Sequence, residues 1–253
     1  MKATNFEFRQ RFWIIMAIFW GGFWLYQADR TNIVQWFVDR VAPGNDSLET
    51  LLARVLFGAA ALLVLLAAWL RTWAAAYLRS SVVHDPSLHS ETVVADGPYR
   101  YMRNPLYLGG ILLALGVGLL ASRAGFVVMV AGLSILYLRL MGLEETNLVR
   151  EQGEPYREFC RRVPRLWPSL TPRVPRGNLE PKWPQAFLGE LFMWGFFLGM
   201  TWFAVTLKIT GTWWIIGVTL VLWVAHSFYV YYRDKARAGS SRQSDEKGAT
   251  HPL

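Results

Sequence analysis

Six apolar segments constrain the fold of this chain more than any other feature of its sequence. They cover residues 12–27, 51–77, 106–121, 125–140, 187–207 and 213–232. A helix needs about 20 mostly apolar residues to cross a bilayer, and 53% of the 253 residues are hydrophobic. The sequence therefore predicts an all-α, polytopic membrane protein with about six transmembrane helices. Only residues 122–124 separate the third and fourth segments, which predicts an antiparallel helical hairpin.

The distribution of positive charge predicts the orientation in the membrane. If both termini are cytoplasmic, the cytoplasmic side holds 21 of the 26 Lys and Arg residues. The other side holds Arg30, Arg40, Arg54, Arg123 and Lys208. This asymmetry obeys the positive-inside rule. The net charge of +8 then belongs to a cytoplasmic face that attracts anionic lipid headgroups, and no nucleic-acid partner is expected.

Changes in composition predict four regions along the chain. Residues 1–49 hold the first transmembrane helix and an interfacial segment, and residues 50–182 hold a core of three spans with its polar loops. Residues 183–232 add two C-terminal spans. The basic segment 233–253 has the composition of a disordered tail.

Cysteine and histidine usage excludes two classes of site. A single cysteine, Cys160, excludes an intramolecular disulfide and a cysteine-based zinc cage. The four histidines are scattered without a metal-ligand spacing. We therefore predict no metal site.

Two polar blocks flank the predicted hairpin and should lie on the same side of the membrane. The first reads GPYRYMRNPLYLG at residues 97–109, where Pro105 is suited to the first turn of a helix. The second begins with Glu144 and Glu145 and runs to residue 168. Because one helical hairpin separates them, we expect the blocks to meet in space.

These blocks resemble the isoprenylcysteine carboxyl methyltransferase and phospholipid methyltransferase superfamily over roughly residues 50–168. The resemblance rests on the motif at 97–109, on E-E-x-x-L at 144–148, and on G-x-x-Y-x-x-F-x-x-x-V-P-R-x-x-P at 153–168. It implies a multi-spanning enzyme that takes S-adenosylmethionine from the cytoplasm and methylates a lipid-embedded acceptor. It also implies a bacterial inner-membrane location and membrane lipids as partners.

The sequence departs from the family at three positions. Asn104 stands where the isoprenylcysteine enzymes typically have histidine, and asparagine forms hydrogen bonds but cannot become cationic. Gln152 replaces a frequent aromatic residue, and Phe159 replaces a frequent tyrosine. These changes affect the expected acceptor more than the expected cofactor.

The resemblance and the chemistry of the cofactor together predict the site. Carboxylates suit its amino and ribose groups, a cation or amide suits its carboxylate, and apolar walls suit adenine. The predicted cofactor-binding residues are Arg103, Asn104, Pro105, Tyr107, Leu108, Gly109, Glu144 and Glu145. The predicted catalytic residues are Arg139 and Glu145, because the family often has an arginine near the reacting group.

Other interpretations stay open at this point. Arg103 can instead snorkel to lipid headgroups, and the two glutamates can begin a cytoplasmic helix. An NADPH-dependent reductase of the sterol-reductase type and a non-catalytic membrane scaffold are the alternative functions. The sequence does not choose between a carboxylate and an amine as methyl acceptor.

Overall fold

The computed structural model describes residues 2–78 and 95–249, and within these ranges the protein is all-α with no strand. This confirms the predicted fold class. The helices are α1 (Asn5–Arg9), α2 (Arg11–Trp24), α3 (Ile33–Val41), α4 (Asp46–Tyr77), α5 (Pro105–Gly118), α6 (Arg123–Gln152), α7 (Glu154–Arg162), α8 (Trp183–Gly189), α9 (Leu191–Thr206) and α10 (Ile209–Ala249). A short 3-10 turn, Gly97–Arg100, precedes α5.

The helices identify an integral membrane protein, but the predicted count of six spans is not confirmed. Among the described residues, α4, α6 and the Ile209–Arg233 part of α10 are long and apolar enough to cross a bilayer. The pair α8 and α9, bent by 62°, adds a fourth if it is one span. Two predicted spans fold as the 14-residue helices α2 and α5. Each is about 21 Å long, which is shorter than the hydrocarbon core of about 30 Å.

Small side chains on α4 let its neighbours approach closely. Ala60, Ala67 and Ala68 are fully buried where α4 packs against α5 and α9. On the facing helix, a Cβ at Gly116 would lie 2.9 Å from the carbonyl oxygen of Ala60, so only glycine fits there. Membrane helices commonly associate through such small residues, because lipid tails give no hydrophobic drive to associate.

The ends of the helices define two faces of the protein. At one face, Tyr26 Oη donates to the carbonyl of Leu120 at 2.6 Å, which joins the end of α2 to the loop after α5. Asn104 and Glu145 lie at the other face, where α5 begins and α6 approaches its end. We call the face with Asn104 and Glu145 the motif face, and the face with Tyr26 the opposite face.

The last helix extends far beyond the bilayer-length segment. Trp223 Nε1 donates to the carbonyl of Gly189 at 2.6 Å, which places this point of α10 at the motif face. The helix then continues to Ala249, through a stretch whose composition predicts disorder. Alanine, lysine and arginine in this stretch have high helix propensity. The four-region division of the chain stays a prediction.

Candidate functional site

Glu145 is the centre of a polar cluster at the motif face. Its Oε1 lies 3.2 Å from Arg103 Nη1 and accepts a hydrogen bond of 3.2 Å from Asn104 Nδ2. Its Oε2 lies 3.1 Å from Arg165 Nε. The Glu145 side chain is only 17% exposed, so these charges interact in surroundings that screen them less than water does.

Backbone hydrogen bonds hold the two polar blocks together. The backbone N–H of Arg103 donates to the carbonyl of Pro164 at 2.9 Å. The N–H of Ser169 donates to the carbonyl of Tyr101 at 3.0 Å. The segment after α7 therefore runs alongside the segment before α5, which confirms that the two blocks meet in space.

Asn104 connects the start of α5 to this cluster. Besides Glu145, its Nδ2 contacts the carbonyl of Arg165 at 3.0 Å, so the side chain does not cap α5. Pro105 is the first residue of α5 and has no N–H of its own. The remaining first-turn N–H groups are left without a side-chain cap, and such groups favour an anionic partner.

A second contact joins α5 to α6 beside the cluster. Tyr107 Oη donates to Glu144 Oε1 at 2.8 Å. The ring of Tyr107 lies 5.3 Å from the ring of Tyr137, measured between centroids. A Cβ at Gly110 would lie 2.6 Å from Tyr137 Cε2, so this glycine makes room for the ring. Glu144 and Glu145 thus face different partners although they are adjacent in the chain.

Arg139, predicted to be catalytic, contacts the N-terminal helix. Its Nε and Nη2 donate to the two carboxylate oxygens of Glu7 at 2.9 Å and 2.8 Å. Glu7 also completes a capping box with Thr4 at the start of α1. The hydrogen bond from Arg139 is the main reason that the pKa of Glu7 falls to about 2. The structure therefore does not bring Arg139 to Glu145.

Leu108 and Gly109, predicted to bind the cofactor, are packed between helices. Leu108 is buried, and a Cβ at Gly109 would overlap the side chain of Arg71 on α4. The glycine allows α4 and α5 to approach closely. Neither residue reaches the Glu145 cluster through a described contact.

The sequence analysis did not identify the ion pair of Arg71 with Glu190. Arg71 donates through Nε to Glu190 Oε2 at 2.7 Å and through Nη2 to Oε1 at 2.9 Å. Its Nη1 also donates to the carbonyl of Leu106 at 3.2 Å. A signal was present, because an ionisable residue in a long apolar segment usually has a buried partner. The sequence did not indicate that this partner is Glu190.

Two arginine donors of the cluster retain binding capacity. Arg103 Nε is buried without a hydrogen-bond partner in the described part of the chain. Arg165 Nε, although near Glu145, makes no well-aligned hydrogen bond to a described residue. Buried unpaired donors are costly, and guanidinium groups bind carboxylates well. The cluster is therefore suited to a ligand that carries an anionic group.

Helix α7 lies within the second polar block and packs through a buried apolar cluster. Gly153, at φ +66°, ends α6 and turns the chain into α7. Tyr156, Phe159 and Val163 form a buried apolar cluster, and this burial raises the pKa of Tyr156. Phe159 packs within this apolar cluster, which suits phenylalanine because its ring has no hydroxyl group that needs a hydrogen-bond partner.

Within residues 2–78 and 95–249, no group of three or more His, Cys, Asp or Glu side chains is arranged to hold a metal ion. His84, His89 and His251 lie outside the described residues. Of the histidines, only His226 is described, and it lies on α10.

The helices and the polar cluster define an integral membrane protein with a group of partly buried charged side chains at one face. Residues 55–153 match the model of the phospholipid methyltransferase family, which confirms the resemblance over this segment. The match includes the motif at 97–109 and both Glu144 and Glu145.

A bacterial protein is similar to part of this chain. The cobalt-zinc-cadmium resistance protein CzcN of Cupriavidus metallidurans is 29% identical over 102 residues, which are 40% of this chain and 44% of CzcN. The chain thus covers less than half of the length of that relative. No solved structure matches this chain.

Proposed function

We propose that this protein is an S-adenosylmethionine-dependent methyltransferase that modifies a lipid-like or isoprenoid-bearing acceptor at the cytoplasmic membrane face. We further propose a bacterial inner-membrane location with both termini in the cytoplasm. One observation carries the proposal: the polar cluster around Glu145 joins Arg103 and Asn104 of the first motif to this glutamate of the second. These residues all lie inside the segment that matches the family.

The residues of the cluster suit the polar groups of this cofactor. Arg103, with its unpaired Nε, and the uncapped amides at the start of α5 suit the carboxylate. The carboxylates of Glu144 and Glu145 suit the amino group and the ribose hydroxyls. When bound, the cofactor supplies a methyl group on a positively charged sulfur.

Positioning and electrostatics are the main tasks of the chain in this reaction. A displacement with a good leaving group gains most from correct alignment of the reacting groups. Contacts from Arg103 and Asn104 fix the carboxylate of Glu145. Arg139 has no direct part in this scheme, because its guanidinium is held by Glu7.

Glu144 is the candidate proton acceptor if the methyl acceptor is an amine. An amine must lose a proton during methylation, whereas a carboxylate is already nucleophilic. The Tyr107 hydroxyl fixes the orientation of the Glu144 carboxylate at 2.8 Å. A carboxylate acceptor would not require this role.

Titration calorimetry with two ligands tests the proposed cofactor. Purified protein in detergent is titrated with S-adenosylhomocysteine and, separately, with NADPH. We expect binding of the first ligand and none of the second. Binding of NADPH alone would indicate a reductase, and binding of neither would indicate a non-catalytic scaffold.

Isotope labelling then identifies the acceptor. Cells with and without the gene are fed methyl-labelled methionine, and their lipids are compared by mass spectrometry. We expect a labelled lipid that is present only with the gene. Identical labelled lipids in both strains would contradict a lipid acceptor.

A further inference from the structure

A groove lies between α4 and α9, away from the Glu145 cluster. It is open to its surroundings along one side, has a volume of about 530 Å³ and is lined almost entirely by apolar side chains. Arg54 and Val205 lie toward one end of the groove, and Leu65 and Phe197 lie toward the other. Helix α4 ends at the motif face, and α9 begins there and runs antiparallel to α4. The end of the groove with Arg54 and Val205 is therefore nearer to the opposite face.

The length of the groove matches one leaflet of a bilayer. Arg54 and Leu65 are eleven residues apart on one helix, which corresponds to about 16 Å along its axis. The hydrocarbon core of a bilayer is about 30 Å thick, so one leaflet contributes about 15 Å. The groove is therefore long enough for the tail of a lipid in one leaflet.

The position of Arg54 along α4 places it at the headgroup level. Arg71, at the motif face, is seventeen residues further along the helix, about 26 Å away. Two residues separated by nearly the thickness of the hydrocarbon core lie close to its two boundaries. Arg54 is thus at the boundary of the opposite face, at the mouth of the groove.

Arg54 has the chemistry to bind a phosphate group there. Its side chain is exposed, and among the described residues no acidic side chain forms an ion pair with it. An arginine next to hydrocarbon is costly unless its charge reaches headgroups or a counter-charge. Phosphate is a strong partner because it accepts paired hydrogen bonds from a guanidinium group.

We propose that this groove binds one phospholipid of the leaflet at the opposite face, with an acyl chain between α4 and α9 and its phosphate on Arg54. The lipid is a structural ligand and is distinct from any methyl acceptor at the motif face. It would fill the lipid-facing gap between the core and the C-terminal helices.

The sequence offers a matched pair of glycines for a test. A Cβ at Gly58, which lines the groove, would have no other atom within 4 Å, and the same holds for Gly21 on α2. Gly58→Leu therefore fills the groove without a backbone clash, and Gly21→Leu makes the same change elsewhere. Arg54→Gln removes the charge and keeps a polar side chain.

Native mass spectrometry of the full chain in detergent provides the readout. Phosphatidylglycerol and a diacylglycerol with the same chains are added separately. We expect one bound phosphatidylglycerol and no retained diacylglycerol on the wild type. Arg54→Gln should weaken retention by about tenfold or more, as for loss of a charged hydrogen bond. Gly58→Leu should weaken retention because its side chain occupies the space of the acyl chain. Gly21→Leu should match the wild type.

Three results would overturn the proposal. They are equal retention of the two lipids, wild-type retention by Gly58→Leu, or a lipid-free dimer that buries the groove. Thermal unfolding in detergent verifies that each variant is folded. S-adenosylhomocysteine binding is measured on the same samples, so a failure of the proposed cofactor is distinguished from a failure of the lipid groove.

Discussion

Arg71 and Glu190 form a two-point ion pair that links the motif-face end of α4 to the break between α8 and α9. The shorter of its two contacts is 2.7 Å, from Nε to Oε2. The same arginine donates to the carbonyl of Leu106 in the first turn of α5. The C-terminal helices, which lie outside the family match, are thereby attached to the helix that follows Asn104.

We expect Glu190→Gln to destabilise the protein by about 3 kcal/mol, because it leaves Arg71 without its counter-charge. Breaking one partner of a buried pair typically costs 3–5 kcal/mol, and the Arg71 side chain is 21% exposed. Urea or thermal unfolding in detergent measures the change. The double variant Arg71→Met with Glu190→Leu should recover most of the loss, and no recovery would show that the pair is not the cause.

Replacement of Glu145 by glutamine should weaken S-adenosylhomocysteine binding while the protein stays folded. Loss of a hydrogen bond to a charged group costs about 1.5–3 kcal/mol, which is about tenfold to 150-fold in affinity. Arg103→Ala should act in the same direction. Calorimetry measures both, with Glu158→Gln on the exposed surface of α7 as the control. Unchanged affinity in both site variants would contradict the cofactor assignment.

Tyr107 and Glu144 should be energetically coupled. The hydrogen bond of 2.8 Å between them predicts a coupling energy of about 1 kcal/mol or more in a double-mutant cycle of Tyr107→Phe and Glu144→Gln. Unfolding of the four proteins gives this energy. The cycle is repeated with kcat/KM once the acceptor is known. Additive effects of the two substitutions in both measurements would show that the contact between Tyr107 and Glu144 contributes to neither stability nor activity.

An acceptor dissolved in the membrane should be methylated better as its hydrophobic chain lengthens. Each methylene that moves from water into the membrane contributes about 0.8 kcal/mol, so kcat/KM per bulk concentration of acceptor should rise by about fourfold per methylene until the acceptor is fully partitioned into the membrane. The measurement compares a chain-length series with one headgroup in nanodiscs. A flat response would indicate a water-soluble acceptor that enters from the cytoplasm.

The attachment of α1 should depend on acidic pH. Because the pKa of Glu7 is lowered from 4.5 to about 2, its ionised form favours the folded contact with Arg139. This contribution is complete above pH 4.5 and is lost as the pH falls toward 2. The melting temperature of Glu7→Gln should therefore differ from that of the wild type above pH 4.5, and the difference should shrink below it. A constant difference would exclude this titration.

The local part of the site could be predicted from the sequence. A three-residue link between two apolar segments requires a hairpin, and a hairpin returns the chain to the same face. The return of the two polar blocks to one face follows from that connection, whereas the contact of Asn104 with Glu145 is a feature of the tertiary structure. The length of α5 was not predicted, because the turn after Gly118 ends the helix before the apolar run ends.

The partners of the charged side chains were beyond prediction. Arg139 lies six residues before Glu145. Its position around α6 nevertheless directs it to Glu7, which is 132 residues earlier in the chain. Arg71 and Glu190 are 119 residues apart, and nothing in either local sequence specifies the other.

The sequence by itself determined the helical class, the membrane environment, and the two motifs that meet at one face. These follow from apolar length and from the direction of successive helices, which are local properties of the chain. Only the tertiary structure decided which cation faces which carboxylate and where a groove opens between α4 and α9. Those features depend on how helices that are distant in sequence are rotated and how closely they approach each other. Side-chain packing at the helix contacts determines both.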